Sequence, residues 1–424
     1  MRSFHNNTRL ISLLTIFIFF LSACASTNIP PFSAQNRSFQ LLSDEQELWN
    51  MSAKEETRLQ KSGRLYQDRL LEEYLTSIAH KMMPEEVREQ IGAKVGVVKD
   101  PSLNAFAYPN GMVYLHTGLL ARLENEAQLA FIVGHELTHV TNRHAVRYFR
   151  DARNKQLGFT IVGILGSIGL AALGADQSRQ GRQVTGAVIS QTGNALLGLG
   201  LQLGLLASIN GYGREMESEA DEGGIKSLIA AGYDPREIPR VFELFLQTEK
   251  DQSAVENFFF SNHPMTRTRL ARSQELLEKT YADAVQQSQL VTNSEEFQRR
   301  TRVLIRENAL LDFERGRYQA AKASLEKVIE TLPNDPKAHY YLGEVYRKSG
   351  KTADDLQRAA EEYQLAIKAD SNYPDPYKAL GFLYYKEREG EKAREAFQRY
   401  LDLKPKAEDA EMIKEYLREL GADS

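Results

Sequence analysis

The sequence has almost no cysteine and no excess of charge of either sign. Cys24 is the one cysteine among 424 residues, which excludes a disulfide framework and a cysteine-based zinc site. Lys and Arg number 53 against 57 Asp and Glu, for a net charge of −4, so no nucleic-acid partner is expected. The length is sufficient for two or three globular domains.

The N-terminus has the pattern of a secretory signal. An apolar run over 10–21 follows the basic residues Arg2 and Arg9, and it is too short for an ordinary membrane-spanning helix. The boundary Leu21-Ser22-Ala23-Cys24 resembles a bacterial lipobox. That resemblance implies cleavage before Cys24 and a lipidated (palmitate-bearing) cysteine, because several acyl chains on one residue anchor a protein stably.

The lipobox assigns 1–23 to a lipoprotein signal peptide and 24–42, rich in Ser, Asn, Pro and Gln, to a tether. We expect a protein of the bacterial periplasm, held on a membrane through lipid. By resemblance to sorting signals, Ala25 favours the outer membrane. The alternative is an unlipidated signal peptide that happens to end in a cysteine.

A small sheet and a long helix follow in the sequence pattern. Short β-like runs at 93–98, 105–108 and 112–116 surround turn signals. Helical periodicity then predicts one helix from about Glu124 to Phe149. The expected class is mainly α (α+β).

Residues 156–210 form an apolar, Gly-rich insert. Each half approaches the length of a bilayer span, so a transmembrane hairpin is one interpretation. The other is a pair of closely packed helices, or an apolar flap over the active site. We favour a segment that does not span the membrane, because Gln191, Asn194 and Gln202 would be costly in hydrocarbon.

The sequence His135-Glu136-Leu137-Thr138-His139 lies within the predicted helix. Histidines four residues apart share one helix face, where both imidazoles can bind one zinc ion. Glu136 can then take a proton from a zinc-activated water as the general base. This pattern predicts a zinc-dependent hydrolase with one Zn²⁺ per chain.

A third zinc ligand is expected in the downstream acidic helix. Glu217 and Asp221 are one helical turn apart, as suits a carboxylate ligand and an acid that orients a histidine ring. Glu215 and Glu219 compete for the ligand role. His144 is expected to be structural.

These segments together resemble the metallopeptidase family that includes HtpX and the CaaX prenyl proteases (family 48 of the metallopeptidases). The resemblance covers 43–277 and is carried, in the family's order, by Asn104-Ala105-Phe106, Gly111, Gly118-Leu119-Leu120, Asn125-Glu126, His135–His139, Arg143-His144, Glu217–Asp221, His263-Pro264 and Arg269. It implies a minigluzincin-like fold with zinc on His135, His139 and Glu217, Glu136 as base and Asp221 as the acid behind a ligand.

The resemblance implies further roles around the active site. It places His263 and Arg269 beside the substrate, where they could steady the oxyanion; His263 could instead be a fourth ligand that keeps the enzyme latent. It also implies a groove where an extended substrate adds as a strand beside Met112, Val113, Tyr114, Leu115 and His116.

The C-terminal part repeats itself with the phasing of tetratricopeptide repeats. The phased residues are Gly316, Tyr318, Ala321, Leu325, Pro333, Leu342, Gly343, Tyr346, Ala359, Tyr363, Leu380, Gly381, Tyr384, Ala393, Phe397 and Pro405. Stacked repeats form an α-solenoid with a concave binding surface. An amphipathic bundle without repeat geometry is the alternative.

We therefore predict a metallopeptidase domain over 43–285, a linker over 286–301 and a repeat domain over 302–424. This combination resembles a periplasmic protease with chaperone function that acts on outer-membrane β-barrel proteins and their assembly machinery. The expected function is cleavage of misfolded or stalled envelope proteins, with the repeats recruiting unfolded outer-membrane proteins or an assembly complex. The alternatives are a chaperone or assembly factor with a latent protease site, and a membrane-embedded protease.

Overall fold

The computed structural model describes residues 26–32, 41–155, 212–251, 267–287, 289–350 and 352–422. Within these residues the fold is mainly helical with one small sheet, which confirms the predicted class. The elements up to residue 155 are α1 (Ser43–Lys61), α2 (Arg69–Lys81), α3 (Glu85–Ile91), β1 (Lys94–Val98), β2 (Ala105–Ala107), β3 (Met112–His116), α4 (Thr117–Arg122), α5 (Glu126–Thr141) and α6 (144–155).

The later elements are helical throughout. They are α7 (Arg214–Ala230), α8 (Glu237–Asp251), α9 (Arg267–Glu275) continued by a π-helical turn (Leu276–Thr280), α10 (Ala282–Val285), α11 (Ser294–Glu314), α12 (Tyr318–Thr331), α13 (Pro336–Ser349), α14 (Ala353–Ala369), α15 (Pro374–Lys386), α16 (Gly390–Leu403) and α17 (Ala410–Ala422). Helix α11 begins inside the interval 286–301 that the sequence pattern assigns to a linker.

The chain divides into two compact units. The first comprises Met1–Gly96, Ala105–Leu115 and Ala127–Thr292, and the second comprises Val97–Asn104, His116–Glu126 and Asn293–Ser424. The second unit therefore includes two short segments from the N-terminal half of the chain as well as the C-terminal helices.

The sheet has the strand order β1-β3-β2. Strands β2 and β3 are antiparallel, with Phe106 opposite Tyr114, and all three strands were predicted from the alternating apolar runs. Because β3 is the central strand, both of its edges are already hydrogen-bonded, and a substrate strand cannot add beside Met112–His116. This finding corrects the groove expected there: among the strands in the described part of the chain, β1 and β2 lie at the edges of the sheet.

A sharp turn separates α5 from α6. Arg143 has a φ of 57°, in the left-handed region that non-glycine residues rarely adopt. The prediction of one continuous helix to Phe149 is therefore wrong. Neither glycine nor proline marks the break in the sequence, so the pattern gave no sign of it.

Buried contacts hold Arg143 in this conformation. Its Nε donates to Glu45 Oε1 at 2.8 Å, its Nη1 donates to the Pro30 carbonyl at 3.3 Å, and its guanidinium lies over the Phe32 ring at 5.2 Å. Phe32 N also donates to the Thr141 carbonyl at 2.8 Å. Residues 26–32 thus pack against the turn as a strap.

Helices α5 and α7 approach closely through glycines. A Cβ at Gly223 would lie 2.4 Å from Thr138 Cγ2, and one at Gly224 would lie 3.1 Å from the backbone N of His135. A Cβ at Gly134 would lie 2.8 Å from Ser227 Oγ. Glycine is unfavourable inside a helix, so a glycine pair at 223–224 indicates close packing that larger residues would prevent.

The second unit is built from helix hairpins. Three successive apolar clusters form its core. Glycines let neighbouring helices pack closely, because a Cβ at Gly343 would lie 2.6 Å from the Tyr363 ring and one at Gly381 would lie 2.5 Å from the Phe397 ring. Helix α4 packs on α11 within this unit. Many of the phased residues of the predicted repeats belong to these clusters, namely Ala321, Leu325, Leu342, Ala359, Tyr363, Leu380, Ala393 and Phe397.

Several predictions fall outside the described residues. These are the signal peptide and Cys24, the Gly-rich insert 156–210 and His263. Among the helices that the structure describes, none combines the length and hydropathy required to cross a bilayer.

We expect Gly223→Ala to destabilise the first unit by about 1–3 kcal/mol, because the added methyl group must displace Thr138 from a filled space. Urea unfolding followed by circular dichroism measures the change. Gly213→Ala is the control, since its Cβ position has no neighbour within 4 Å among the described residues beyond the adjoining ones. Thr138→Ala should recover part of the loss when combined with Gly223→Ala; equal stability of Gly223→Ala and the parent protein would contradict the packing argument.

Candidate metal centre

Three buried side chains from two helices converge on one point. His135 and His139 lie on successive turns of α5, and Glu217 reaches them from the first turn of α7. The two Nε2 atoms are 3.1 Å apart, and the Glu217 carboxylate oxygens lie 3.4 Å from His135 Nε2 and 3.5 Å from His139 Nε2. Among the described residues, this group can hold a metal ion.

The spacing of the three donors fits zinc. Tetrahedral zinc with bonds of about 2.0–2.1 Å places its ligand atoms about 3.3 Å from one another. The imidazole nitrogens are 3.1 Å apart and lie 3.4 and 3.5 Å from different oxygens of the Glu217 carboxylate, distances close to that value. Two imidazoles and a carboxylate are also a donor set of catalytic zinc sites, which leave the fourth position for water or substrate.

Asp221 holds the ring of His135 from behind. Its Oδ1 lies 3.1 Å from His135 Nδ1, and its Oδ2 accepts from Arg269 Nε at 2.7 Å. Burial alone would raise the pKa of Asp221, but the charge and hydrogen bonds of Arg269 and His135 lower it below the usual value. Asp221 is therefore charged and can fix the tautomer that leaves His135 Nε2 for the metal.

Glu219 forms hydrogen bonds with other side chains and does not face the metal ligands His135 and Glu217. Its carboxylate accepts from Arg147 at 2.7 and 3.0 Å and lies 3.1 Å from His144 Nε2. The Arg147 hydrogen bond, partly opposed by burial, lowers the pKa of Glu219 to about 2. Of the three acids that compete for the ligand role in the sequence, Glu217 faces the histidines, Glu219 pairs away from them, and Glu215 is exposed.

Glu136 is buried beside the two histidines on α5. Its charge, together with that of Glu217, helps raise the pKa of the buried Tyr212 well above its usual value, after the larger effect of burial. It also contributes to the raised pKa of Arg269. Glu136 is thus a buried carboxylate on the same helix as the two histidine ligands, as expected of a general base.

Two residues of the site, Tyr212 and Phe242, cannot be recognised from a sequence pattern. The ring of Tyr212 stacks on His139 with centroids 4.4 Å apart, and Phe242 lies 5.5 Å beneath the Arg269 guanidinium. Neither belongs to a spaced pattern of metal ligands or catalytic groups. Their roles depend on how separate helices meet, which a linear pattern does not contain.

Comparison with known proteins agrees with this geometry. The family described as Peptidase family M48 matches residues 69–277, and the family described as Tetratricopeptide repeat matches residues 306–374. These two matches confirm both the resemblance and the repeats predicted from the sequence.

Curated relatives match half of the chain or less. The beta-barrel assembly-enhancing protease of Escherichia coli (strain K12) is 30% identical over 214 residues, which are 50% of this chain and 40% of that protein. The mitochondrial metalloendopeptidase OMA1 of Arabidopsis thaliana is 32% identical over 155 residues, 37% of this chain and 26% of that protein. The chain thus spans less than half the length of the curated relatives it matches here.

Zinc affinity should rise with pH. In the metal-free protein, burial lowers the pKa of His135, but hydrogen bonds and charges of Asp221 and Glu217 outweigh it and raise the pKa to about 9. Since His135 must lose its proton to bind zinc, we expect the affinity to rise by about tenfold per pH unit between about pH 6.5 and 8.5. Chelator competition measures it.

Asp221→Asn is the control for that titration. It removes one of the charges that raise the pKa of His135, so the dependence on pH should be shallower than in the parent protein. An affinity independent of pH in the parent protein would contradict the assigned ligand.

Proposed function

We propose that the peptidase family M48 domain carried by residues 69–277 is a zinc-dependent endopeptidase. The observation that carries the proposal is the buried triangle of His135, His139 and Glu217, with donor separations of 3.1 to 3.5 Å, next to the buried Glu136. The names of both curated relatives, a protease and a metalloendopeptidase, agree with it.

The residues of the site have distinct roles in peptide hydrolysis. When bound, zinc would supply a Lewis acid that polarises the peptide carbonyl and acidifies water. Glu136 accepts the proton of the attacking water and delivers it to the leaving amine. Asp221 orients His135, and Arg269 keeps Asp221 charged through its bidentate contact. The proposed roles of His263 and Arg269 at the oxyanion, and of His263 as a fourth ligand, stay predictions.

The substrates proposed are proteins of the bacterial envelope. The support is the secretory pattern at the N-terminus, together with a relative named for β-barrel assembly. We propose that the enzyme removes misfolded or stalled outer-membrane proteins in the periplasm. The repeats of the second unit would recruit those proteins, or a complex that assembles them, on a concave surface.

Two variants separate metal binding from catalysis. Glu136→Gln should keep zinc and the fold but lower casein cleavage by at least about 1,000-fold, because the general base is lost while every ligand remains. His135→Ala should lose zinc as well as cleavage. Metal content and cleavage are measured on protein that begins at Ser26.

Each outcome of that experiment has a meaning. Glu136→Gln protein that still cleaves casein would overturn the assigned base. Zinc without cleavage in the parent protein would support the alternative of a chaperone with a latent site, which His263→Ala should then activate. Parent protein without zinc would refute the metal centre.

Membrane attachment depends on one residue in this proposal. Cys24→Ser should move the protein from the membrane fraction to the soluble periplasmic fraction, because no acylated thiol remains. Cell fractionation and immunoblotting measure the distribution. Ser22→Ala is the control that retains Cys24. Retention of the Cys24→Ser protein in membranes would instead favour a membrane contact by the Gly-rich insert.

A further inference from the structure

We propose that His144 and Glu219 form a hydrogen-bonded relay that holds the zinc ligand His139 in one tautomer and one orientation. The proposal rests on the zinc-peptidase function above and gives His144 a role in positioning the ligand, where the sequence suggested a structural one. His144 touches neither metal nor substrate in this scheme. It acts through His139.

The distances determine the direction of every hydrogen bond in the relay. His139 Nε2 faces His135 and Glu217, so a metal there requires the proton of His139 on Nδ1. His139 Nδ1 lies 2.7 Å from His144 Nδ1, which must then accept. His144 therefore carries its proton on Nε2, and that atom lies 3.1 Å from Glu219 Oε2. A charged carboxylate that only accepts completes the chain.

The far end of the relay is itself fixed. Glu219 receives two hydrogen bonds from the Arg147 guanidinium, at 2.7 and 3.0 Å, and Asn142 donates to it at 3.4 Å. The other histidine ligand has a comparable arrangement, because Asp221 contacts His135 and is held by Arg269. Each imidazole thus has a carboxylate on the side away from the metal, and an arginine holds each carboxylate in place. On the His139 side, His144 lies between the imidazole and the carboxylate.

The backbone is bent to deliver His144. Residue 144 is five positions after His139, so a straight continuation of α5 would place the two side chains on different faces of the helix. The left-handed Arg143, with φ 57°, turns the chain so that the fully buried His144 ring lies edge-to-face against His139, with centroids 4.9 Å apart. Non-glycine residues rarely adopt such a conformation, and buried contacts of Arg143 with Glu45 hold it.

Orientation of a ligand by groups behind it affects metal affinity. Loss of such outer partners typically lowers affinity by about 10- to 100-fold. A purely structural histidine would change the stability of the fold without a specific effect on the ion. Zinc affinity and the absorption spectrum of the cobalt-substituted protein therefore distinguish the two roles.

Glu219→Ala and Glu222→Ala form the matched pair for the first test. Both acids are on α7 with similar side-chain exposure, 33% and 35%, and each pairs with a nearby basic group. Each variant removes one negative charge from the same helix. We expect Glu219→Ala to weaken zinc binding by about tenfold and Glu222→Ala to leave it unchanged within about twofold.

His144→Leu and His144→Asn form the second test. Leucine fills the space but cannot accept from His139 Nδ1, so affinity should fall by about 10- to 100-fold and the cobalt spectrum should shift. The asparagine oxygen can occupy nearly the position of Nδ1 and accept the same proton, so His144→Asn should bind more tightly than His144→Leu. Where His144→Leu fails to fold, the zinc affinity of Glu219→Ala tests the relay.

The outcomes separate this relay from the proposed function. A parent protein that binds no zinc would refute the metal centre and the relay together. A parent protein that binds zinc, with affinity and cobalt spectrum unchanged in Glu219→Ala, and in His144→Leu where that variant folds, would overturn the relay alone.

Discussion

The close contact between α5 and α7 is the constraint on which the site depends. Glycines at 134, 223 and 224 let the helix backbones approach until an added Cβ would meet backbone or rigid side-chain atoms. Only at this separation can the short Glu217 side chain reach two histidines of the other helix. Dispersion and steric repulsion between backbones thus set the dimensions of a metal site.

The charged side chains of the site lie next to the contact between α5 and α7. Two carboxylates of α7 and two arginines lie behind the two histidines, so each imidazole is oriented by a charged acid whose own charge is compensated. Paired charges are tolerated in a buried region because each has hydrogen-bonding partners of opposite sign. The result is a site whose ligands are held before any ion arrives, which lowers the entropic cost of binding.

Sequence patterns predicted the parts of this protein that depend on local spacing. Two histidines one turn apart, alternating apolar runs and the phasing of repeats all follow from helix and strand geometry, and the strands and the family match agree with them. The Arg143 turn was missed, because neither glycine nor proline marks it and its contacts come from Glu45 and Pro30, more than 90 residues earlier. Tertiary packing also determines the central position of β3, the stacking of Tyr212 and the close contact between the helices. The secondary-structure propensity of the residues does not encode such packing.

The strap of residues 26–32 connects an N-terminal segment to the metal centre through the turn at Arg143. Its carbonyl at Pro30 and the ring of Phe32 hold Arg143, and Arg143 sets the turn that aims His144 at His139. A truncated protein that begins at Ser26 keeps all of these contacts, whereas one that begins at helix α1 keeps the Glu45 contact of Arg143 but loses those of Pro30 and Phe32.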